Sequence, residues 1–219
     1  MKVITVANQK GGVGKSTIAC NLAVCAAKDG KSTLIIDGDP QGSSMAFRAS
    51  REANDLQAVA ITQKTIHQDV EKFTNFDIVI VDAGGRDNAI FRSAIAAASK
   101  GTLIIPVLPS QYDIWATGDT FNILSETRVY VDIPAYVVFN QVIANTSVSK
   151  EAIAALDVLL SENDVKLLDT KLYNRVYYKE SISDGRGVIE YTTKEREKAE
   201  KAAEEIMSLY NEIKRVLDI

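Results

Sequence analysis

The sequence predicts an α/β fold, namely a doubly wound, mostly parallel β-sheet with helices on both faces. Short β-branched runs alternate with helical stretches along the 219-residue chain, which is the pattern of such sheets. The runs are continuously apolar, as in Leu34–Ile36 and Ile78–Val81, and this is typical of strands buried on both faces. A glycine-rich loop joins the first run to the first helix, so the chain begins with a strand, a loop and a helix.

The predicted elements follow in regular order. Segments predicted as strands, the third of them a weaker alternating run, are Lys2–Ala7, Ser32–Asp37, Leu56–Ile61, Phe76–Asp82, Thr102–Val107 and Ala135–Phe139. Segments predicted as helices between and after them are Lys15–Asp29, Ile66–Phe73, Ala89–Ser99, Ile114–Thr127 and Ser149–Leu160. A last helix is predicted over Thr193–Leu217, with one apolar face that packs on the sheet. The alternative is a membrane-surface helix, which needs a basic polar face, whereas this polar face carries glutamates such as Glu200 and Glu204.

Composition and net charge limit the classes of function that fit this sequence. Hydrophobic residues make up 46% and charged residues 25%, which is ordinary for a globular protein, and no apolar run approaches a membrane span. The net charge of −4 argues against tight, constitutive DNA binding by a monomer. Cys20 and Cys25 fall within the first predicted helix, so we expect them to pack in the core of a cytoplasmic, reduced protein.

The loop after the first strand is a predicted phosphate site. It reads Asn8-Gln9-Lys10-Gly11-Gly12-Val13-Gly14-Lys15-Ser16-Thr17. Backbone N–H groups of such a loop and the N-terminus of the following helix attract phosphate. Lys15 can reach the β- and γ-phosphates of a nucleotide, and the Ser16 hydroxyl can ligate Mg²⁺.

Acidic residues end two of the predicted strands. Asp37 and Asp39 follow the second strand, and Asp82 ends the fourth. The carboxyl ends of parallel strands are where these sheets bind ligands. Carboxylates at that edge can hold Mg²⁺ or orient an attacking water, although Asp, Gly and Pro also favour a simple turn.

These motifs resemble the ParA/MinD family of deviant Walker A ATPases, which are P-loop NTPases. The common loop pattern would place a glycine where this chain has Gln9, whereas the Lys-Gly-Gly-Val-Gly-Lys of residues 10–15 and the Asp-x-Asp-Pro-Gln of residues 37–41 are similar to the family's motifs. The resemblance implies catalytic roles for Lys10, Lys15 and Asp39, with Asp39 positioning the hydrolytic water. It implies a nucleotide site formed by Lys10, Gly11, Gly12, Val13, Gly14, Lys15, Ser16, Thr17 and, at the adenine, Asn140. It implies Mg²⁺ contacts from Ser16, Asp37 and Asp82.

Other segments extend the resemblance or depart from it. Ala83-Gly84-Gly85-Arg86 stands where most relatives read Asp-Thr-Pro-Pro or similar, so the roles of Gly84 and Gly85 are open. Residues 181–185 resemble the late loop of short ParA proteins such as ParF. We therefore expect residues 1–219 to form a single P-loop ATPase domain without an N-terminal DNA-reading domain.

The resemblance implies a slow ATPase that forms a homodimer on binding ATP and Mg²⁺. The dimer would bind DNA without sequence preference, in association with the nucleoid, and a centromere-binding, ParB-like partner protein would stimulate hydrolysis; no membrane partner is expected. In this family the lysine corresponding to Lys10 reaches the phosphates of the other chain.

Two other functions stay open on the same fold. One is a metabolic or assembly enzyme, such as a ligase or a metal-cluster carrier, although a carrier would need a Cys-x-x-Cys pair that is absent from the sequence. The other is a tyrosine kinase, which normally ends in a tyrosine cluster, whereas the tail here has only Tyr210.

The remaining candidates are less specific. His67, the single histidine, is expected on a helix surface, and Trp115 is expected to pack or to border a subunit interface. Tyr173, Tyr177 and Tyr178 near Arg175 and Lys179 predict either a half-buried helix or a DNA-facing patch. Candidate DNA contacts are Arg175, Lys179 and Arg186.

Overall fold

The chain folds around one parallel β-sheet, as predicted. The computed structural model describes residues 1–143, 150–192 and 196–219; residue 149 of one predicted helix and residues 193–195 of another lie outside them. The strands are β1 (Lys2–Val6), β2 (Thr33–Asp37), β3 (Gln57–Ala60), β4 (Ile78–Asp82), β5 (Gly101–Val107), β6 (Ala135–Val142) and β7 (Lys166–Tyr173). Their order in the sheet is β3-β2-β4-β1-β5-β6-β7, and each recorded pair of neighbours is parallel.

Helices cover both faces of this sheet. In the described residues they are α1 (Lys15–Lys28), α2 (Ser43–Ser50), α3 (Ile66–Asp69), α4 (Ala89–Ala97), α5 (Gln111–Arg128), α6 (Lys150–Glu162), α7 (Tyr177–Ser183) and α8 (Arg196–Leu217). Short 3₁₀ turns lie at Val70–Lys72, Ala98–Lys100 and Val188–Glu190. The strand order reverses at β1, and such a reversal opens a crevice at the carboxyl ends of the strands.

Several elements differ from the predictions. The structure adds β7, α2 and α7, and β6 runs on to Val142 instead of ending at Phe139. β7 is an edge strand whose exposed and buried residues alternate along most of its length, so it lacks the continuous apolar run that marks an interior strand. Helix α5 begins at Gln111 because the Ser110 side chain caps it by accepting a hydrogen bond from the backbone N–H of Asp113.

Two apolar clusters form the core, one on each face of the sheet. In β4, Val79 and Val81 point to the face covered by α3 to α6, and Ile78 and Ile80 to the face covered by α1, α7 and α8. Helix α1 is buried along most of its length, because the sheet lies on one side of it and α7 and α8 on the other.

The burial or exposure of individual side chains tests several predictions. Cys20 and Cys25 pack in the core beside α8, as expected, and burial raises the pKa of both thiols, that of Cys25 to about 12. Tyr177 and Tyr178 are also buried there, so they do not face DNA. Trp115 is instead 55% exposed. Within the described residues, no helix combines the length and apolar character needed to cross a bilayer.

Candidate functional site

The loop between β1 and α1 wraps the N-terminus of α1 as the sequence predicts. Gly14 stands just before the helix with φ of 91°, a left-handed conformation that glycine adopts at no steric cost. A Cβ at this position would lie 2.3 Å from Nδ2 of Asn140. Any other residue would therefore strain the backbone and displace Asn140, which explains the glycine at position 14.

Lys15 is buried at the centre of the loop. Its Nζ donates a hydrogen bond of 3.1 Å to the carbonyl oxygen of Lys10. Burial lowers the pKa of the Lys15 ammonium, and the nearby carboxylates of Asp82 and Asp39 oppose that shift. A desolvated cation in this loop suits a bound phosphate, because the phosphate replaces the lost water with charge-assisted hydrogen bonds.

Asp37 and Asp82 lie side by side at the carboxyl edge of the sheet. They are register partners in β2 and β4, and both are fully buried. The Ser44 hydroxyl donates a 2.6 Å hydrogen bond to Oδ2 of Asp82. Burial raises the pKa of Asp82 to about 7, and the charge of Asp37 adds to this shift.

This carboxylate pair fits a magnesium ion. Among the described residues, Oδ1 of Asp82 is buried without a hydrogen-bond partner, an arrangement that needs an unseen partner such as a water or an ion. Asp37 is better satisfied, because its oxygens accept from the backbone N–H groups of Asp39 and Met45. The unpartnered oxygen of Asp82 suits a ligand of the hydrated ion, and Mg²⁺ contacts from Ser16, Asp37 and Asp82 stay a prediction; when bound, Mg²⁺ would screen the phosphate charges.

Asp39 is held by its own turn. Its carboxylate accepts a hydrogen bond of 2.9 Å from the backbone N–H of Gln41, and it is half-buried on the wall of an open cavity of about 510 Å³. Gly11 and Gly85 border the same cavity. The turn that the residue types also favour therefore exists, and Asp39 shares the cavity with Gly11 of the phosphate loop.

Lys10 points away from its own phosphate loop. Its Nζ forms an ion pair of 2.5 Å with Asp113 in the first turn of α5. Ser110 also hydrogen-bonds the Asp113 carboxylate. Desolvation would raise the pKa of Asp113, but the hydrogen bonds from Lys10 and Ser110 lower it below its usual range.

Asn140 lies beneath the loop and hydrogen-bonds it. Its Nδ2 donates a 2.7 Å hydrogen bond to the carbonyl oxygen of Val13, and the next residue, Gln141, donates to Gly12. Both side chains thus brace the phosphate loop from β6. Contact between Asn140 and an adenine stays a prediction.

Arg175 lies near the same end of the sheet and is already engaged. Its guanidinium donates to the Glu205 carboxylate at 2.8 and 2.6 Å and stacks 5.5 Å from the centre of the Tyr173 ring. Lys179 and Arg186 are exposed. His67 is half-buried, with its Nδ1 2.8 Å from Oγ of Ser93, rather than free on a helix surface.

Sequence reasoning missed Ser44, Asp113 and Gln141. Ser44 follows the Asp-Pro-Gln turn closely in the sequence, so this motif gave a weak indication that Ser44 lies near Asp82. Asp113 and Gln141 lie 103 and 131 positions from Lys10, respectively, and no local pattern joins residues so far apart.

The profile of the CobQ/CobB/MinD/ParA nucleotide binding domain matches residues 4–189. The chain belongs to this family. It is an ATPase that uses ATP and Mg²⁺, and the ParA/MinD resemblance of its motifs is thereby confirmed.

Relatives in this family match most of the chain. It is 29% identical over 216 residues to the maintenance of carboxysome distribution protein A of Halothiobacillus neapolitanus, covering 96% of this chain and 95% of that one. It is 27% identical over 183 residues to the protein ParA of Rhizobium radiobacter, covering 81% of each.

Solved structures show the same fold at lower identity. Apo McdA of Cyanothece has a TM-score of 0.77 at 16% identity and covers 99% of each chain. The cell division ATPase MinD of Pyrococcus furiosus has a TM-score of 0.74 at 18% identity and covers 98% of each chain.

Proposed function

We propose that this ATPase is a DNA partition protein that works as a nucleotide-dependent dimer. ATP binds the loop of residues 10–17, two chains close face to face, and the dimer holds DNA without sequence preference. A ParB-like partner on a centromere-like site stimulates hydrolysis, in which Asp39 positions the water, and the dimer separates. ATP thus acts as a switch between two assembly states.

The position of Lys10 is the observation that supports this proposal. Lys15 already lies inside its own loop, whereas the Lys10 ammonium is directed to α5 and is 32% exposed. An outward lysine at the mouth of a phosphate site can reach a second chain placed against that mouth. Phosphates enclosed between two chains carry several negative charges, and a cation from the partner links closure to the nucleotide.

The surface around Lys10 suits a second copy of the chain. Tyr112 and Trp115, on either side of Asp113, are 79% and 55% exposed and stack edge to face with ring centres 5.7 Å apart. Exposed aromatic pairs are common anchors of protein interfaces. We place this aromatic pair in the dimer face.

The DNA contacts are proposed to be Lys179 and Arg186. Both are exposed and basic, and a chain of net charge −4 needs such a local patch. Arg175 is removed from the proposed set because its charge already neutralises Glu205. The relatives include the chromosome-partitioning ATPase Soj of Thermus thermophilus, which supports DNA as the cargo.

Substitution of Lys10 tests the dimer. We expect Lys10→Ala to bind ATP with Mg²⁺ as a monomer but to stay monomeric with a non-hydrolysable ATP analogue, as measured by light scattering. Lys15→Ala should lose nucleotide binding altogether, because Lys15 neutralises the β- and γ-phosphates. Lys64→Ala, which removes an exposed lysine from a distant loop, is the matched control and should dimerise. A Lys10→Ala protein that dimerises normally would refute the cross-chain role.

DNA binding distinguishes partition from a metabolic enzyme. Wild-type protein with the analogue should bind DNA, and the affinity should fall steeply as salt rises because phosphate contacts release counterions. Lys10→Ala should lose this binding with the dimer. A protein that forms nucleotide-dependent dimers but does not bind DNA would favour the ligase-type alternative.

A further inference from the structure

Arg86 borders the phosphate site without a recorded partner. Its side chain is exposed, and it lines the 510 Å³ cavity that Gly11 and Asp39 also line. Within the described parts of the chain, the structure gives its guanidinium no hydrogen bond and no ion pair. By contrast Arg92, the next arginine along the chain, is paired with Asp87 and Glu126.

The two glycines before Arg86 bring the backbone close to the reacting groups. A Cβ built on Gly84 would lie 3.6 Å from Cγ of Asp39, and one built on Gly85 would lie 3.3 Å from Nζ of Lys15. Residues 84 and 85 therefore pass between the lysine of the phosphate loop and the carboxylate proposed to orient water. Arg86 is the next residue after these two glycines, so its long side chain can fold back over the cavity.

The charges around this cavity favour a guanidinium there. Asp39 lines it, and a bound γ-phosphate would add further negative charge. Lys10 is committed to Asp113 in the single chain, which leaves Lys15 as the cation inside the loop. A planar guanidinium can donate two parallel hydrogen bonds to phosphate oxygens and reduce the repulsion between the phosphate and Asp39.

We propose that Arg86 binds the γ-phosphate of ATP held on the phosphate loop of its own chain. This inference rests on the ATP site proposed above. ADP lacks the γ-phosphate, so Arg86 makes the site prefer ATP over ADP, and it holds the phosphate beside the water that Asp39 orients. The glycines at 84 and 85 let the arginine approach, because their backbone lies close to Asp39 and Lys15.

The test compares ATP and ADP affinity by calorimetry. Arg86→Ala should weaken binding of a non-hydrolysable ATP analogue about 10- to 100-fold, because a charge-assisted contact is lost, and should leave ADP affinity within about twofold. Arg86→Lys keeps the charge but not the paired hydrogen bonds, so it should lie between. Arg215→Ala removes an exposed arginine from α8 and is the charge-matched control, with both affinities unchanged.

The outcomes separate this inference from the site on which it depends. If the wild type binds the ATP analogue and Lys15→Ala does not, the ATP site is established. If the wild type does not bind the analogue, both proposals are overturned. With that site established, equal affinities of wild type and Arg86→Ala for the analogue, or a parallel loss of ADP affinity, would overturn the γ-phosphate contact alone.

Mixing two variants tests whether the arginine acts within its own chain. Arg86→Ala and Asp39→Ala are each expected to hydrolyse ATP slowly. If Arg86 acts in its own chain, mixed dimers have no complete site and the mixture stays slow. Recovery of ATPase activity in the mixture would show that the arginine comes from the other chain and would overturn the assignment.

Discussion

Lys10 and Lys15 belong to one loop but lie in different electrostatic surroundings. Lys15 is buried, so it loses water and depends on a phosphate or a carboxylate for compensation. Lys10 is partly exposed and is compensated by Asp113. In the proposed dimer, closure through Lys10 would break that ion pair, so Asp113 would compete with the nucleotide of the other chain for the same ammonium.

Removing Asp113 should therefore ease dimerisation. A partly exposed ion pair contributes on the order of 1 kcal/mol or less, so Asp113→Ala should lower the protein concentration needed for half-dimerisation by about 2- to 5-fold. Sedimentation or light scattering with the non-hydrolysable analogue measures this midpoint.

Asp119→Ala is the control, because Asp119 is exposed on the same helix. Its midpoint should equal that of the wild type. An Asp113→Ala midpoint at or above the wild-type value would mean that the ion pair does not restrain Lys10.

At the scale of an element, α5 supports the phosphate loop and borders the proposed dimer face. Thr117 and Thr120 hydrogen-bond the Asn8 side chain, at 3.3 and 3.2 Å, and the hydroxyl of Thr120 also accepts from the backbone N–H of Gln9. These bonds fix the start of the loop from inside the protein. The exposed side of the first turns of the helix carries Tyr112 and Trp115.

Dimerisation should bury part of that exposed surface. Trp115 is the only tryptophan, so intrinsic fluorescence reports on this site alone. Adding the non-hydrolysable analogue with Mg²⁺ should shift the emission to shorter wavelength, because the indole leaves water for an apolar contact. ADP should give no shift.

Lys10→Ala is the control for this measurement, because it is expected to bind nucleotide without dimerising. Its emission should stay at the wild-type position for the free protein. If light scattering shows a wild-type dimer while the emission does not move, Trp115 lies outside the interface.

At the scale of the whole molecule, a buried charge cluster joins distant parts of the chain. The Arg51 side chain, after α2, is 1% exposed and donates to Asp55 and to Glu190 of the 3₁₀ turn after α7. Its guanidinium also donates to the carbonyl oxygen of Gly185, and Lys28 of α1 reaches Glu190 at 2.8 Å. Breaking a pair of this kind leaves a buried charge uncompensated, which is costly.

Glu190 should make the free energy of unfolding depend on pH. Burial alone would raise its pKa, but hydrogen bonds from Arg51 and Lys28 outweigh burial and lower the pKa to about 2. The lowered pKa means that the carboxylate stabilises the fold above its unfolded pKa of about 4.3 and loses this effect as pH falls towards 2. At about pH 7, Glu190→Gln should lower the free energy of unfolding by about 1 to 2 kcal/mol, after allowance for solvent screening.

Urea denaturation of both proteins measures this difference at a series of pH values. The difference should shrink as pH falls from about 5 to about 3. Glu162→Gln, at an exposed position near the end of α6, should match the wild type throughout. A Glu190→Gln difference that is constant across this range would contradict the lowered pKa.

The sequence by itself determined the fold class and the phosphate loop. Continuous apolar runs predicted five of the seven strands, because burial on both faces demands apolar residues at every position, and a weaker alternating run predicted β3. Lys15, Ser16 and the carboxylates of Asp37 and Asp82 were predicted because their motif lies within a short segment or at a strand end. These signals are local, so they are legible without the tertiary structure.

Only the tertiary structure decided which distant side chains complete the site. It places Asp113 on Lys10, Asn140 on Val13 and Arg86 beside the cavity that contains Asp39. It also pairs Arg175 with Glu205, which removes Arg175 from the proposed DNA contacts. Such pairs depend on the order of strands and the packing of helices, which bring together residues from 30 to 127 positions apart, and no pattern along the chain predicts them.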